Sequence, residues 1–255
     1  MMSVDWPAPT RVRALATLRA GGVSTGTWGL AGGLPGGLNL GLHVGDDATH
    51  VGINRARLQG LVGCPILWMD QVHGTQVFDA DAIDPDATLE VPVADAALST
   101  RPGRALCIMT ADCLPVLFTD RQGRGVAAAH AGWRGLLEGV LEVTMAALRS
   151  RIGASAELLA WLGPAIGPTA FEVGDEVRQA FVDRDVAAAS FFSPTGRPGK
   201  WLGDLEGLAR QRMAACGGVV SHGGGFCTVS DPGRFYSHRR DRISGRMASL
   251  IWLAS

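Results

Sequence analysis

The chain has 255 residues, with 23 Lys and Arg against 24 Asp and Glu, and its formal net charge of −1 excludes a general electrostatic attraction to nucleic acid or to an anionic membrane. Hydrophobic residues make up 47% of the chain and the mean hydropathy is +0.16, which excludes intrinsic disorder. The sequence contains neither a bilayer-length apolar run nor a basic-aromatic nucleic-acid pattern. We expect a compact soluble protein with no nucleic-acid or membrane partner.

The first half of the chain predicts a strand, a loop, a helix and a series of short strands. Residues 11–18 predict a strand, and the glycine-rich stretch 20–37 predicts a mobile loop. Residues 46–63 predict a helix, because apolar residues recur on one face, Asp47 can cap its start and Gly63 can end it. Further short strands are predicted at 65–70, 75–80, 95–99, 105–110, 114–119 and 125–131.

The second half of the chain mixes helices with strands. Helices are predicted at 134–153, 173–182 and 204–218, and strands at 157–163, 226–230 and 246–253. Because helices separate only some of the strands, this order favours a mixed-sheet α/β or α+β fold over a doubly wound parallel sheet. No stretch resembles a linker, so we expect a single domain of residues 1–255.

The cysteine pattern indicates free thiols. The five cysteines are odd in number and include no C-x-x-C pair, which is typical of a protein from a reducing compartment. The first residues show no basic segment followed by an apolar one, so they do not predict a secretory signal. We therefore expect a cytoplasmic protein.

Reactive side chains interrupt two apolar runs of the chain. Cys113 precedes the strand "LPVLFT", His130 lies near the end of "GVAAAHA", and His73 lies in the glycine-containing turn "QVHG". Residues at strand ends can converge on one edge of a sheet even when they are far apart in sequence. Two imidazoles and one thiolate would suit a catalytic zinc site with an open fourth position. The same residues would equally suit a cysteine nucleophile with a histidine base, and spacing alone does not decide between them.

Several longer motifs occur together in one order: "GLNLGLHVGDD", "QVHG", "TADCLPV", "AAHAGWRG", "GPAIGP", "FEVGDEV", "FYSHRRD" and "GRMASLI". Through these motifs the chain resembles, from about residue 15 to 253, the YfiH-type family. Its members are also called laccase-domain or polyphenol oxidase-like proteins and multifunctional purine nucleoside phosphorylases. The chain departs from the usual family pattern at Leu18, where a threonine is usual, and at His238, where an aromatic residue is usual.

The resemblance implies a fold, a metal and a reaction. The implied fold is a single α/β domain of layered mixed sheets flanked by helices, similar to the catalytic domain of cytotoxic necrotizing factor. The implied metal is zinc, with His73, Cys113 and His130 as ligands. The implied chemistry is phosphorolysis of adenosine, inosine and methylthioadenosine, with adenosine deamination, so that a purine nucleoside and phosphate would be the partners. Copper-dependent phenol oxidation and editing of peptidoglycan precursors are attributed to some members.

The histidine count limits the copper chemistry. A multicopper oxidase needs many histidines, often in His-x-His pairs, whereas this chain has six histidines and no such pair. The chain cannot build that machinery alone. Cu²⁺ can still occupy a site of two histidines and one cysteine, so we expect phenol oxidation at most as a side activity.

Other polar residues are candidates for catalysis and substrate binding. Asp112, beside Cys113, is the nearest carboxylate that could move protons during deamination. Arg134 and the amides at the start of the predicted 134–153 helix could hold phosphate. For each of these side chains a purely structural role is the simpler alternative. Further candidates for substrate binding are Asn39, His43, Arg55 and Arg240.

Three functions therefore stay open at the level of sequence. The first is a zinc-dependent purine nucleoside phosphorylase and adenosine deaminase, which the resemblance favours. The second is a cysteine-dependent hydrolase, with Cys113 as nucleophile and a cell-wall precursor as substrate. The third is a protein that binds metal without catalysis. Metal analysis separates the second function from the first, and turnover of nucleosides tests the third.

Overall fold

Two mixed β-sheets packed face to face form the centre of the molecule. The computed structural model describes residues 1–83 and 90–254, so the expected domain of residues 1–255 includes two short stretches outside the described residues. The strands in the described residues are β1 Met2–Ser3, β2 Val12–Ala16, β3 Ala20–Ser24, β4 Ile66–Leu67, β5 Val77–Asp79, β6 Ala96–Ser99, β7 Ala105–Thr110, β8 Leu114–Asp120, β9 Val126–Ala131, β10 Leu158–Leu162, β11 Glu172–Gly174, β12 Phe192–Pro194, β13 Lys200–Gly203, β14 Val219–Gly223 and β15 Met247–Leu253.

Helices cover the outer faces of the two sheets. The α-helices are α1 Ala48–Val62, α2 Trp133–Glu138, α3 Val140–Ile152, α4 Asp175–Arg184, α5 Leu205–Ala215 and α6 His238–Asp241. Short 3₁₀ helices span Gly26–Trp28, Ala31–Gly33, Leu42–Val44, Ala80–Ala82 and Val186–Phe191. Across the described ranges, none of these helices combines the length and apolar character needed to cross a bilayer.

Both large sheets mix parallel with antiparallel neighbours, which confirms the predicted fold class. The five-stranded sheet has the order β1-β2-β15-β7-β4, and its β4–β7 pair is parallel. The six-stranded sheet has the order β14-β10-β8-β9-β6-β5, and its two outer pairs are parallel. Strands β11, β13 and β12 form a separate antiparallel sheet.

Apolar side chains fill three layers between these elements. The layer between the two sheets joins residues such as Ile108 of the five-stranded sheet to Leu117 and Ala128 of the six-stranded sheet. The outer face of the six-stranded sheet packs against α3, α4 and α5, and that of the five-stranded sheet packs against α1. The strands β8 and β9 are buried along their whole length because both of their faces are covered.

Local signals place α1 correctly. Asp47 accepts a hydrogen bond from the backbone N–H of Thr49, and Gly63 ends the helix in the left-handed conformation at φ 75°. The final strand β15 is also where the sequence predicts one.

Other predicted elements are wrong. The predicted loop 20–37 contains β3 and two 3₁₀ helices. Isolated β-bridges join both ends of β3, Ala20 and Ser24, to Gly37. The segment 226–230 is not a strand, since it makes only an isolated bridge through Cys227. The predicted helix 134–153 is broken at Gly139, whose φ of 105° a helix cannot contain, so α2 has only six residues. Residues 173–174 belong to β11, and β1, β12, β13 and β14 were not predicted.

Candidate metal centre

The connections between the two sheets bring two of the three predicted ligands to one edge. The chain leaves the five-stranded sheet at β4, passes His73, and enters the six-stranded sheet at β5. It crosses a second time between β7 and β8, and Cys113 lies in that turn. His130 lies in β9 opposite Pro115 of β8, so its strand end lies beside the Cys113 turn.

The donor atoms of the three residues converge. One ligand atom from each of His73, Cys113 and His130 lies within 4.8 Å of the others. The Cys113 Sγ and the His73 Nε2 are 3.6 Å apart, and the two imidazole rings meet edge to face at 4.7 Å between centroids. Tetrahedral zinc, with bonds of about 2.3 Å to sulfur and about 2.0 Å to nitrogen, requires an S–N separation of about 3.5 Å. The residues present therefore fit a metal cation of this type.

Left-handed backbone shapes two of the ligand turns. His73 has φ of 64° and Asp112, next to Cys113, has φ of 94°. Such conformations are unfavourable for residues with a side chain and persist only where surrounding contacts impose them. The Asp112 carboxylate accepts hydrogen bonds from the Thr228 hydroxyl and from the backbone N–H of Arg239, both at 2.6 Å. These contacts hold the Cys113 turn in place.

Glycines allow the three turns to approach one another. A Cβ atom at Gly132 would lie 2.7 Å from the His73 Cδ2 and 3.0 Å from the Cys113 Sγ. A Cβ atom at Gly135 would lie 2.9 Å from the carbonyl oxygen of Gly74. The two glycines of "HAGWRG" are therefore required because the ligand turns pack directly on their backbone.

Cys113 and His130 shift each other's charge state. Burial alone would raise the pKa of Cys113, but the charges and hydrogen bonds of His130 and His73 bring that pKa to about 6. Burial opposes protonation of His130, whereas the Cys113 thiolate and Asp95 raise the pKa of His130 to about 9. Thiolate is the form of cysteine that coordinates metals. A cation at Cys113 would displace the proton from the facing nitrogen of His130, since metal and proton compete for that lone pair.

Two cavities meet at this centre. The first has a volume of about 360 Å³, and its walls include polar side chains beside two methionines. The second has a volume of about 210 Å³ and combines an apolar wall with arginines. Both cavities share His73, Ala111, Cys113 and His238. The residues that line only the first cavity are His43, Met69, Asp70, Gln71, Met109, Thr110, His130 and Arg246. The residues that line only the second cavity are Asp112, Trp133, Arg134, Ile166, Phe171, Leu205, Arg239 and Arg242.

Of the predicted substrate residues, the structure brings two to the cavities. His43 lines the first cavity and Arg134 the second. The Arg134 guanidinium lies 4.6 Å from the centroid of the Trp133 ring and is exposed. Asp112 also reaches the second cavity, but both of its carboxylate oxygens accept the hydrogen bonds described above, so its contacts favour positioning over proton transfer.

Three other predicted substrate residues do not line either cavity. Asn39 is fully buried. Its side-chain oxygen accepts a hydrogen bond from the backbone N–H of Arg246, and its side-chain NH₂ donates to the Asp46 carboxylate. Arg55 stacks on Trp68 at 3.9 Å. Arg240 donates to the carbonyl oxygens of Thr228, Val229 and Phe235 and pairs with Asp241. These three side chains hold the loops that carry the cavity walls.

Gln71 and Asp95 belong to the site but are not among the residues predicted from the sequence. Gln71 pairs through its amide with the backbone of Met109, with hydrogen bonds of 2.8 and 2.9 Å, and so fixes the start of the His73 turn. The Asp95 carboxylate accepts a hydrogen bond from the His130 Nδ1, with 2.8 Å between Oδ1 and Nδ1. A carboxylate at the start of the buried strand "DAALS" is the signal that could have identified Asp95, because a buried charge requires a partner.

Comparison with known proteins finds relatives that match almost the whole chain. Residues 13–254 match the family model described as multi-copper polyphenol oxidoreductase laccase. The chain is 53% identical over 252 residues to a purine nucleoside phosphorylase of Pseudomonas aeruginosa, covering 99% of this chain and 98% of that protein. It is 47% identical over 251 residues to the purine nucleoside phosphorylase YfiH of Escherichia coli K12, covering 98% and 97%.

Solved structures agree in fold over the same extent. The crystal structure of a Neisseria meningitidis protein matches with a TM-score of 0.90 and 47% identity, covering 100% of this chain and 99% of that one. The structure of a Bacillus licheniformis hypothetical protein YfiH matches with a TM-score of 0.84 and 28% identity, covering 98% of both chains. The fold, the His-Cys-His group and these full-length similarities together show that the chain belongs to the YfiH family.

Proposed function

We propose that this chain is a zinc-dependent purine nucleoside phosphorylase that acts on adenosine, inosine and methylthioadenosine and also deaminates adenosine. The observation that carries the proposal is the convergence of the His73, Cys113 and His130 donor atoms at the point where two cavities of different chemistry meet, with His73 and Cys113 lining both. The names of the Pseudomonas and Escherichia relatives support the reaction class.

A metal cation at this centre would supply Lewis acidity, which polarises an oxygen or lowers the pKa of water. His73, Cys113 and His130 would hold it, and they leave room for a further ligand. A ligand set of one soft thiolate and two imidazoles suits Zn²⁺ and also Cu²⁺. The chain's own residues must provide the rest of the reaction.

We assign the nucleoside to the first cavity. Its volume of about 360 Å³ accommodates a purine nucleoside, and Met69 and Met109 provide apolar, polarisable contacts for a flat base. His43 adds a polar group for recognition. Burial and the neighbouring Arg246 lower the pKa of His43, so that its imidazole is neutral at pH 7 and can both donate and accept a hydrogen bond.

We assign phosphate to the second cavity, which Arg134, Arg239 and Arg242 line, because arginine is well suited to binding phosphate. Phosphorolysis forms a bond between a phosphate oxygen and C1′ of the ribose while the glycosidic C–N bond breaks. The electron pair of that bond passes to the purine, which takes up a proton. His238 lines both cavities, and its imidazole is therefore placed to move a proton between them.

Deamination of adenosine uses the same first cavity without phosphate. Water adds to the ring carbon that carries the amino group, and ammonia leaves after a proton is transferred to it. Because this reaction requires no anion, the arginines of the second cavity have no direct part in it. We propose copper-dependent phenol oxidation as a side activity only. A multicopper oxidase needs several copper sites, whereas the described residues contain one three-ligand group.

A cysteine-dependent hydrolase is the second candidate. In this enzyme Cys113 would be the nucleophile, the neighbouring His130 would be the base, and Asp95 would orient that base through its hydrogen bond to the ring. The lowered pKa of Cys113 supports this alternative. Such an enzyme would act, for example on a peptidoglycan precursor, without any metal.

One experiment separates these functions. Gently purified protein is analysed for zinc and copper, and then incubated with adenosine and inosine in the presence and absence of phosphate. We expect about one zinc per chain, phosphate-dependent release of the base, and conversion of adenosine to inosine without phosphate. A metal-free protein with no nucleoside turnover, even after zinc is added, would exclude the first function and leave the cysteine hydrolase.

A further inference from the structure

A single buried carboxylate contacts both histidine turns of the metal centre. Asp95 immediately precedes β6 and is fully buried. Its Oδ1 accepts hydrogen bonds from the His130 Nδ1 at 2.8 Å and from the His73 backbone N–H at 2.9 Å. Its Oδ2 accepts from the backbone N–H groups of Gly74 at 2.7 Å and Val72 at 3.1 Å.

We infer that Asp95 is the positioning residue that sets both histidine ligands, an inference that rests on the proposed metal centre. A hydrogen bond from Nδ1–H of His130 fixes the tautomer whose Nε2 carries the free lone pair. The three backbone N–H groups of residues 72–74 converge on the same carboxylate, and this holds His73 in its left-handed conformation. One side chain therefore orients one ligand through its ring and the other through its backbone.

The number of donors explains why this residue is an aspartate. Four N–H donors face the Asp95 carboxylate, and a carboxylate offers about four lone-pair positions on its two oxygens. An asparagine of almost the same shape offers one oxygen with two lone pairs, and its NH₂ group would face other donors. The Asp95→Asn variant would therefore leave buried N–H groups unpaired or reverse the His130 tautomer.

The backbone of Asp95 also belongs to the hydrogen-bonded framework around β9. The Asp95 carbonyl oxygen accepts a hydrogen bond from the His130 N–H at 2.7 Å, and the Asp95 N–H donates to Gln76. These two bonds do not depend on the side chain, so they persist in Asp95→Asn. The substitution therefore alters the ligand orientation while the strand pairing stays in place.

Zinc affinity of the full chain tests the inference, measured by competition with a chromophoric chelator. We expect Asp95→Asn to weaken zinc binding about tenfold to a hundredfold, and to alter the visible absorption of the Co²⁺-loaded protein. The matched control is Asp81→Asn. The Asp81 carboxylate is 3% exposed and accepts hydrogen bonds from Ser99 and from Thr100, so its loss costs comparable stability without contact to the ligands.

The outcomes separate the inference from the proposed function. If the wild-type chain binds no zinc, the proposed function fails and the inference with it. If the wild type binds zinc and Asp95→Asn binds it as tightly as Asp81→Asn does, only the positioning role is overturned. Should Asp95→Asn fail to fold, nitrogen-15 NMR of the zinc-loaded wild type decides instead. We expect the Nδ1–H tautomer of His130, and an Nε2–H tautomer would overturn the inference.

Discussion

The two cavities share the wall formed by His73 and Cys113 but differ in the groups opposite that wall. The first places two methionines there, together with polar side chains in which the charges of Asp70 and Arg246 are opposite in sign, whereas the second places three arginines around Trp133 and Phe171. One offers hydrogen bonds and apolar contact to a neutral molecule, and the other offers positive charge to an anion. Under the proposed function, a single centre serves these two compartments. Substitutions in the shared wall should impair every reaction, and substitutions in one compartment should discriminate between reactions.

The largest effect is expected at the shared wall, from Cys113→Ala. Removing the thiolate should abolish tight zinc binding and reduce phosphorolysis and deamination together, on the order of a thousandfold, since Lewis-acid stabilisation is worth several kcal/mol. Elemental analysis and parallel rate measurements check this. The control is Cys107→Ala, because Cys107 is buried in an apolar cluster where burial raises its pKa to about 12. Full zinc occupancy in Cys113→Ala would contradict the ligand assignment.

The next effect is expected from Gly132→Ala, which adds a methyl group between His73 and Cys113. Since the new Cβ would lie 2.7 Å from the His73 ring, we expect both reactions to slow by about tenfold to a hundredfold, the scale on which ligand orientation affects metal sites. Zinc titration and rates provide the measurement. Gly60→Ala serves as control, because Gly60 lies in α1 with open space around it. That control should keep its rates and gain about 0.4–1 kcal/mol of stability.

A smaller and selective effect is expected from Arg134→Ala in the second cavity. Loss of a charge-assisted contact of about 1.5–3 kcal/mol should slow inosine phosphorolysis about tenfold to a hundredfold at subsaturating phosphate. Adenosine deamination should change much less. Arg178→Ala is the matched control, since Arg178 lies over the Trp201 ring at 4.3 Å and outside both cavities. Equal losses in both reactions, with zinc retained, would show that Arg134 only supports the turn.

The smallest effect is expected from His43→Ala in the first cavity. A neutral hydrogen bond contributes about 0.5–1.5 kcal/mol, so KM for the nucleoside should rise about twofold to tenfold in both reactions while KM for phosphate stays constant. Steady-state kinetics with inosine and adenosine provide the check. A change confined to the phosphate KM would reverse the assignment of the two compartments.

The sequence predicts those parts of the molecule that depend on neighbouring residues. Helix α1 is predicted with both of its ends, because Asp47 and Gly63 act on the backbone next to them. The break at Gly139 is missed, since the apolar periodicity continues through it. Strands β12 and β13 are missed as well. They are short, and only their pairing with each other and with β11 makes them strands.

The candidate site shows the same limit. The three ligands could be assigned as a set through the resemblance, whereas spacing left a metal centre and a cysteine nucleophile equally open. Asp95 and Gly132 act across the fold, on residues that are distant in sequence, so the local pattern around each does not show which residue it contacts. Asn39, Arg55 and Arg240 are polar residues near the motifs, but their hydrogen bonds are to backbone or structural partners. Polarity alone does not distinguish a cavity wall from the loop behind it.

The two crossings between the sheets link metal supply to the lifetime of the folded chain. His73 and Cys113 reach their positions only when the five-stranded and six-stranded sheets are docked, so an unfolded chain lacks the assembled site. A cation present at a hundred times its dissociation constant would then stabilise the native state by about 2.7 kcal/mol. A substitution between the sheets, for example at Leu117, would lower apparent metal affinity without touching a ligand. Conversely, a chelator would shorten the time before proteolysis by allowing the two sheets to separate more often.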